Sequence, residues 1–332
     1  MTLATKTLVL SGADVTRLLT MEACIEAVER ALIDLAEGRG SQPLRSILWL
    51  PERVGALGIM PGAVGEPAAL GAKIISVFPG NHGRGLSSHQ GVVLLFDPED
   101  GRLLAILDGE RITAIRTAAA SAVATRALAR QSASHLAILG SGAQADTHLE
   151  AMCAVRPVES VRLWSRRPES AAAFERRARE QHPGLDIKVV STAQDAVREA
   201  DILCTVTAAQ EPVIQGDWLA EGAHVNGVGS CVPSARELDT QLMQRGRIFT
   251  DRRESLLAEA GDFIIPMNEG ELSEKDLEGE LGDILQGKIE GRTAESDITI
   301  FKSLGIAAED LGTARWLYEK ARETGTGVEI EL

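Results

Sequence analysis

A short glycine-rich segment near the middle of the chain has the spacing of a nucleotide-binding turn. An apolar run, His135–Leu139, leads into Gly140 and Gly142, and Ala145 follows three residues later. In this pattern the first glycine permits a tight turn, the second lets backbone approach a pyrophosphate, and the small third residue allows close helix packing. The helix that follows offers free N–H groups and the positive end of its dipole. We therefore predict a dinucleotide site with contacts from Gly140, Gly142, Ala143, Gln144 and Ala145.

The end of the next apolar run bears on which dinucleotide binds. An NAD site usually carries an acid there, which accepts a hydrogen bond from the adenosine ribose. This chain instead has Ser165, Arg166 and Arg167. Because guanidinium groups bind phosphate oxygens through paired, charge-assisted hydrogen bonds, the pattern favours NADP(H), with NAD(H) as the other candidate. The plainer alternative is that both arginines only cover a solvent-facing turn.

Three cations in the first third of the chain are candidates for binding an anionic substrate. Lys73 interrupts an otherwise uncharged stretch, 68–78, and an unpaired ammonium is costly to bury, so it must reach water or a polar cavity. Arg116 lies near the start of an alanine-rich segment, and Arg45 precedes an apolar run. Each residue alone is more often a surface charge or part of a structural ion pair. Their spacing does not place them in one site.

The order of elements around these residues predicts an α/β protein with two units. Helical periodicity over 14–38 is followed by short β-type runs over 44–107, which we interpret as an antiparallel sheet. An alanine-rich helix over 112–130 marks a boundary. Apolar runs and helical segments then alternate over 135–228, which is typical of a parallel sheet with helices on both faces.

The signal is weaker beyond residue 230. We predict a helix over 235–244, a strand over 247–250, a helix over 307–322 and a terminal strand over 328–332. A strand that follows the last helix can return to the sheet of the first unit.

Composition narrows the functional classes. With 332 residues, 44% hydrophobic, the chain exceeds the size at which one core stops growing, and it folds as an ordinary globular protein. A formal net charge of -14 disfavours nucleic acid and anionic membranes as partners. We expect a cytoplasmic protein, since no apolar run approaches the length of a membrane span and no signal sequence is evident. No metal site or disulfide framework is expected from the four dispersed cysteines, Cys24, Cys153, Cys204 and Cys231.

The sequence resembles the ornithine cyclodeaminase/mu-crystallin family over essentially its whole length. The resemblance rests on ordered motifs at 71–81, 88–97, 113–121, 140–145, 226–239 and 299–310. It implies a Rossmann dinucleotide-binding domain over 118–307 and an α+β substrate-binding and dimerisation domain formed by 1–117 and 308–332, and hence a homodimer. Arg45, Lys73 and Arg116 match the family positions that bind the substrate carboxylate. The matched cofactor positions are Arg116 and Thr117 near the phosphates, and Thr207, Val228 and Lys302 along the dinucleotide.

Two departures distinguish this chain from the ornithine cyclodeaminases of the family. Cys231 replaces an aspartate that handles the substrate amine, and Gly58 replaces a glutamate shortly before Met60 and Pro61. Both carboxylates expected to engage an amino group are therefore missing, and we expect Cys231 to line the substrate pocket instead.

The resemblance and its departures together predict an NADPH-dependent reductase of cyclic ketimine carboxylates. Lys73 and Arg116 are its expected catalytic residues, with Lys73, or a water that it positions, as the proton source. Three alternatives remain open from the sequence: an amino-acid dehydrogenase acting on open-chain imines, an ornithine cyclodeaminase with bound NAD, and a dinucleotide-dependent binding protein without turnover.

Overall fold

The computed structural model of the chain describes residues 6–65 and 68–332, and its contacts divide it into two compact units. The first unit comprises the residues up to Arg116 together with Ile306–Leu332, and the second comprises Thr117–Gly305. No helix among the described residues is long and apolar enough to cross a membrane.

The first part of the chain forms most of the first unit. Its elements are β1 (Lys6–Leu10), α1 (Gly12–Leu18), α2 (Met21–Ala36), β2 (Ser46–Trp49), β3 (Ala56–Val64), β4 (Ala69–Val77), β5 (His89–Phe96) and β6 (Leu103–Asp108). Helix α3 (Gly109–Leu128) follows, and Arg116 and Thr117, at the division between the units, lie within it.

The second unit alternates strands and helices. Its elements are β7 (His135–Leu139), α4 (Ala143–Val155), β8 (Ser160–Trp164), α5 (Pro168–Gln181), β9 (Asp186–Val189), α6 (Ala193–Val197), β10 (Ile202–Thr205), β11 (His224–Gly227), α7 (Thr240–Arg245), β12 (Gly246–Thr250), α8 (Arg253–Glu259), α9 (Gly261–Asn268), β13 (Leu277–Glu280), α10 (Leu281–Leu285) and β14 (Ile298–Lys302). The chain then returns to the first unit with α11 (Ala307–Thr324) and β15 (Val328–Glu331).

A seven-stranded sheet with the order β15-β1-β6-β5-β4-β3-β2 organises the first unit. All its strand pairs are antiparallel except β1 with β6, and β15 pairs with β1, so the predicted return of the terminal strand is confirmed. Helix α11 packs against α2, β3, β4 and β5. Gly71 permits this close packing, because a Cβ there would lie 2.8 Å from the Leu311 side chain and 2.0 Å from the Leu94 carbonyl oxygen.

An eight-stranded parallel sheet with the order β13-β12-β14-β11-β10-β7-β8-β9 forms the second unit. Its central strands β10, β11 and β14 are buried along their whole length, as expected for strands covered on both faces. The predicted α/β fold class is confirmed. The alternation of strands and helices that we predicted over 135–228 is also present.

Several elements of the structure differ from the predicted ones, and β1, α8, α9, β13, α10 and β14 were not predicted at all. The helical segment 14–38 is two helices, because Leu19 is extended and the Thr20 side chain caps α2 by accepting from the Ala23 N–H. The helix predicted over 235–244 begins only at Thr240, because the Asp239 side chain accepts from the Leu242 N–H and so caps α7 there. Strand β3 was missed, since its Pro61 and two glycines resemble a turn.

Candidate active site

Lys73 lies on the buried face of β4 and forms an ion pair there. Residues Ala69, Gly71, Lys73 and Ile75 alternate onto this face. The Lys73 Nζ lies 2.7 Å from Asp310 Oδ2, and both side chains are almost completely buried. The lysine that seemed out of place in an uncharged stretch therefore has a carboxylate partner.

Arg116 joins the same carboxylate from α3. Its Nε donates to Asp310 Oδ1 at 2.9 Å, and its Nη1 donates to Glu309 Oε2 at 2.7 Å. We call Lys73, Arg116, Glu309 and Asp310 the buried charge cluster. A guanidinium has five N–H groups, and the structure engages only two of those of Arg116 with these acids, so donors remain for a further anion.

The two acids of the cluster lie in the first turn of α11. The positive end of a helix dipole stabilises carboxylates at this position. Gln42 also helps to cap this turn, because its side-chain oxygen accepts the Ala308 N–H at 2.9 Å. Glu309 and Asp310 belong to the last of the family motifs, but no role was predicted for them from the sequence. Two adjacent acids at the start of an apolar helix were the available signal.

Burial and neighbouring charges perturb the ionisation of this cluster. Burial lowers the pKa of Lys73 to about 8, repulsion from Arg116 acts in the same direction, and Asp310 opposes both. Arg45, which is half-buried, also repels the Lys73 ammonium and so belongs to the same electrostatic environment. Burial alone would raise the pKa of Asp310, but Arg116 and Lys73 hold it below its usual value. This arrangement can bind a carboxylate and can release a proton from Lys73 near neutral pH.

In the second unit, the glycine turn adopts a backbone that requires glycine at its first position. Gly140 has φ +119°, and a Cβ there would lie 2.6 Å from the Val206 carbonyl oxygen. Its N–H donates to the Trp164 carbonyl at 2.9 Å, and the Ser141 hydroxyl donates to the Ser165 hydroxyl at 3.0 Å. The turn after β7 is thereby fixed against the end of β8.

The start of α4 fits the pyrophosphate of a dinucleotide. No side chain caps this helix at Gly142, and a Cβ at Gly142 would meet no atom within 4 Å. The N-terminus of α4, where Gly142 and Ala143 are exposed, therefore faces open space, and the helix dipole there favours an anion. Ala145 is fully buried, which lets α4 pack closely on the sheet.

The loop after β8 contains the residues predicted to choose the cofactor. Ser165 is half-buried beside the glycine turn, whereas Arg166 and Arg167 are exposed. Neither guanidinium takes part in an ion pair within the described part of the chain, so both remain available to an anion.

Two of the other predicted cofactor residues, Thr207 and Lys302, take part in a network of buried charges. Lys302 is fully buried, with its Nζ 3.2 Å from Asp262 Oδ2 and donating to the Gly227 carbonyl at 3.0 Å. Thr207 donates to Glu237 through both its N–H and its hydroxyl, each at 2.7 Å. Sequence reasoning missed Glu237 and Asp262 as functional candidates, because their partners are distant in the sequence.

Three further predicted residues are also placed. Val228 and Thr117 are buried. Cys231 is half-buried in the second unit, where its thiol contacts the Val228 and Ser303 carbonyl oxygens at 3.6 and 3.8 Å. Among the side chains that the structure describes, no group of three or more His, Cys, Asp or Glu residues is arranged to hold a metal ion.

Comparison with known proteins identifies the family. The model of the Ornithine cyclodeaminase/mu-crystallin family matches residues 5–325. The ketimine reductase mu-crystallin of Mus musculus is 39% identical over 298 residues, which cover 89% of this chain and 91% of the mouse protein. The chain belongs to the Ornithine cyclodeaminase/mu-crystallin family, and the resemblance seen in its sequence is confirmed.

Solved structures extend the likeness to the whole fold. The Δ1-pyrroline-2-carboxylate reductase of Thermococcus litoralis, solved with NADH and L-proline, has a TM-score of 0.95 and 40% identity, with 98% of this chain and 100% of that chain covered. An archaeal alanine dehydrogenase dimer with bound NAD has a TM-score of 0.93 and 30% identity, with 99% and 100% covered.

Proposed function

We propose that this protein is a reductase that uses a nicotinamide dinucleotide to convert cyclic ketimine carboxylates into cyclic amino acids. Δ1-Pyrroline-2-carboxylate and Δ1-piperideine-2-carboxylate are the expected substrates. The observation that carries this proposal is the buried charge cluster, in which Lys73 and Arg116 share the Asp310 carboxylate while Arg45 lies nearby. The named activities of the mouse and Thermococcus relatives agree with it.

Arg45, Lys73 and Arg116 bind the substrate carboxylate in this proposal. Glu309 and Asp310 hold Arg116 through two separate hydrogen bonds, so its guanidinium plane is fixed before the substrate arrives. A fixed guanidinium binds a carboxylate with less loss of conformational entropy than a flexible one. The bound carboxylate then determines where the adjacent imine carbon lies.

The reaction consumes one hydride and one proton. Reduced nicotinamide, when bound, supplies the hydride that the imine carbon accepts, and the two electrons of the C=N π bond pass to nitrogen. Lys73, or a water that it positions, supplies the proton for that nitrogen. Its pKa of about 8 suits this role, since proton transfer is most effective from a group whose pKa lies near the working pH.

We propose NADP(H) as the preferred cofactor, with the 2′-phosphate bound by Ser165, Arg166 and Arg167. Both arginines are exposed beside the glycine turn and have no ion-pair partner in the described residues. The pyrophosphate contacts would come from Gly140 to Ala145, and the rest of the dinucleotide would contact Thr117, Thr207 and Val228. Lys302 is fully buried, so it would act on this site through Asp262 and the Gly227 carbonyl. The second unit is then the dinucleotide-binding domain.

We further propose that the first unit carries the homodimer interface. Within the described residues, edge strand β2 pairs with β3 alone, and the two strands expose Ile47, Leu48, Trp49, Leu57 and Ile59 to solvent. An exposed apolar strand at a sheet edge favours pairing with another chain. The archaeal alanine dehydrogenase was solved as a dimer, which agrees with this expectation.

The first prediction concerns turnover. Purified protein should oxidise NADPH in the presence of Δ1-piperideine-2-carboxylate and should not release ammonia from ornithine with NAD+, because Cys231 and Gly58 provide no carboxylate for an amino group. Cofactor absorbance at 340 nm and an ammonia assay measure the two reactions. Ammonia release from ornithine without net cofactor change would instead support cyclodeamination.

The second prediction concerns cofactor choice. Replacing Arg166 and Arg167 together by Ala should raise the KM for NADPH roughly 10-fold to 100-fold, since charge-assisted hydrogen bonds to the phosphate are lost. The KM for NADH should change little, because NADH lacks that phosphate. Exposed Arg176 on α5 offers a control, as Arg176→Ala should affect neither cofactor. Equal weakening of both cofactors by the double variant would contradict the 2′-phosphate assignment.

The third prediction concerns pH. If protonated Lys73 supplies the proton, kcat/KM should fall as the pH rises through about 8. Asp310→Asn should move this limb to lower pH, because the carboxylate that raises the pKa of Lys73 is removed. Lys73→Arg, which keeps the charge without titrating, should remove the limb. A limb that persists unchanged in Lys73→Arg would assign it to another group or to the substrate.

The fourth prediction concerns assembly. Light scattering should give a mass twice the 35.4 kDa of one chain. Leu48→Glu should dissociate the dimer, because a carboxylate would replace the most exposed apolar side chain of β2. Val328→Glu, at the opposite edge of the same sheet, is the matched control and should remain dimeric. Dissociation by Val328→Glu alone would place the interface at the other edge.

A further inference from the structure

The side chain of Glu237 connects two loops at the carboxyl end of the parallel sheet. Its Oε1 accepts the N–H and the hydroxyl of Thr207, both at 2.7 Å. Its Oε2 accepts the Thr205 hydroxyl at 2.8 Å and the Gly229 N–H at 2.6 Å. One fully buried carboxylate thus accepts four hydrogen bonds, from the residues that end β10 and from the loop after β11.

These two loops occupy a defined place in the topology. Strands β9, β8 and β7 form one half of the sheet, and β10, β11 and β14 continue it on the other side. In this doubly wound arrangement a dinucleotide lies across the carboxyl ends of the strands, at the point where the strand order reverses. The first half, with the glycine turn after β7, binds the adenosine side. The Thr207 and Gly229 loops therefore belong to the nicotinamide half.

The backbone of Glu237 is in turn bound by a second carboxylate, that of Asp262. Asp262 Oδ1 accepts the N–H groups of Glu237 and Leu238 at 2.7 and 2.9 Å. Asp262 Oδ2 pairs with Lys302, whose ammonium also donates to the Gly227 carbonyl at the end of β11. The positions of both loops are therefore coupled to strands β11 and β14 through buried charges.

The backbone around this network is adapted to close contact with Glu237. A Cβ at Gly229 would lie 2.6 Å from the Glu237 Cδ and 2.1 Å from the Thr207 carbonyl oxygen. A Cβ at Gly261, beside Asp262, would lie 2.0 Å from the Ala235 carbonyl oxygen. Burying a carboxylate carries a large desolvation penalty, which an apolar side chain of similar volume would avoid. An apolar side chain could not accept the four hydrogen bonds through which Glu237 joins the two loops.

We propose that Glu237 is a positioning residue that fixes the separation of the Thr207 and Gly229 loops, and so shapes the nicotinamide half of the cofactor site. Asp262 and Lys302 hold it in place. This inference rests on the proposed function only in taking the ligand to be a nicotinamide dinucleotide. It assigns Glu237 no contact with substrate or with the reacting atoms.

The test separates the two halves of the cofactor by binding alone. Affinities of NADPH and of 2′,5′-ADP, which lacks the nicotinamide half, are measured by calorimetry for the wild type and for Glu237→Gln. The amide must turn its NH2 group toward N–H donors, so NADPH should bind roughly 10-fold to 100-fold more weakly while 2′,5′-ADP stays within about twofold. Should NADH bind better than NADPH, NADH and AMP replace the pair.

Glu280→Gln is the matched control. Glu280 lies at the end of the outermost strand β13 and also accepts a backbone N–H, that of Arg253, at 2.8 Å. Its substitution should change neither affinity. Thr205→Val is a milder second variant, which removes the hydroxyl that donates to Glu237 Oε2 while leaving the carboxylate. It should weaken NADPH roughly threefold to tenfold and spare 2′,5′-ADP.

Two outcomes would overturn the inference. One is an equal loss of affinity for NADPH and 2′,5′-ADP, which would indicate a general structural role. The other is unchanged NADPH binding in the folded variants. If Glu237→Gln does not fold, Thr205→Val decides, because Thr205 donates to Glu237 and is not one of the proposed cofactor contacts. Because no turnover is needed, wild-type protein that binds NADPH but reduces no ketimine would refute the proposed function while leaving this test intact.

Discussion

The first unit depends on the ability of one carboxylate, Asp310, to keep two cations buried. An ammonium or guanidinium transferred from water into a protein interior without a partner costs several kcal/mol, about enough to cancel the stability of a small domain. Asp310 contacts both Lys73 and Arg116, and Glu309 takes a second N–H of Arg116. The packing of α11 on the sheet and the small residues beneath it follow from this need, because the acids must come within hydrogen-bonding distance of β4 and α3.

The second unit also buries charged side chains, but it stabilises them with a different set of partners. There the buried charges Glu237, Asp262 and Lys302 have neutral partners as well as ionic ones, since most of the hydrogen bonds come from backbone N–H groups and hydroxyls of loops. In the proposed function, the charges of the first unit are themselves the groups that bind the substrate. In the second unit, the proposed role of the buried charges is to fix the positions of the Thr207 and Gly229 loops. Buried acidic and basic residues therefore have a different role in each unit. Their hydrogen-bond partners distinguish the two roles: these are mainly other charged side chains in the first unit, and mainly backbone groups and hydroxyls in the second.

The elements that were predicted correctly are those encoded by residues close together in the sequence. The limits of β7 are those of the predicted apolar run, and α4 follows the glycine turn as predicted, because the run, the turn and the helix start are all encoded by neighbouring residues. The α7 boundary was wrong because Asp239 caps the helix, and the backbone just before it is bound by Asp262, over 20 residues away. The pairing of Lys73 with Asp310 spans most of the chain, and no periodicity encodes such a contact. Family resemblance supplied the expected carboxylate-binding role of Arg45, Lys73 and Arg116, but not the pairing of Lys73 and Arg116 with the acids of α11.

The return of the chain to the first sheet has a consequence for biosynthesis. The second unit is continuous in sequence, whereas the first needs α11 and β15, which leave the ribosome only after the whole second unit. A nascent chain that ends before residue 306 holds Lys73 and Arg116 without either acid of the buried charge cluster. Domains generally fold as units during synthesis. The parallel sheet is therefore complete first, and the antiparallel sheet closes only when β15 pairs with β1, so translation order separates the folding of the two units in time.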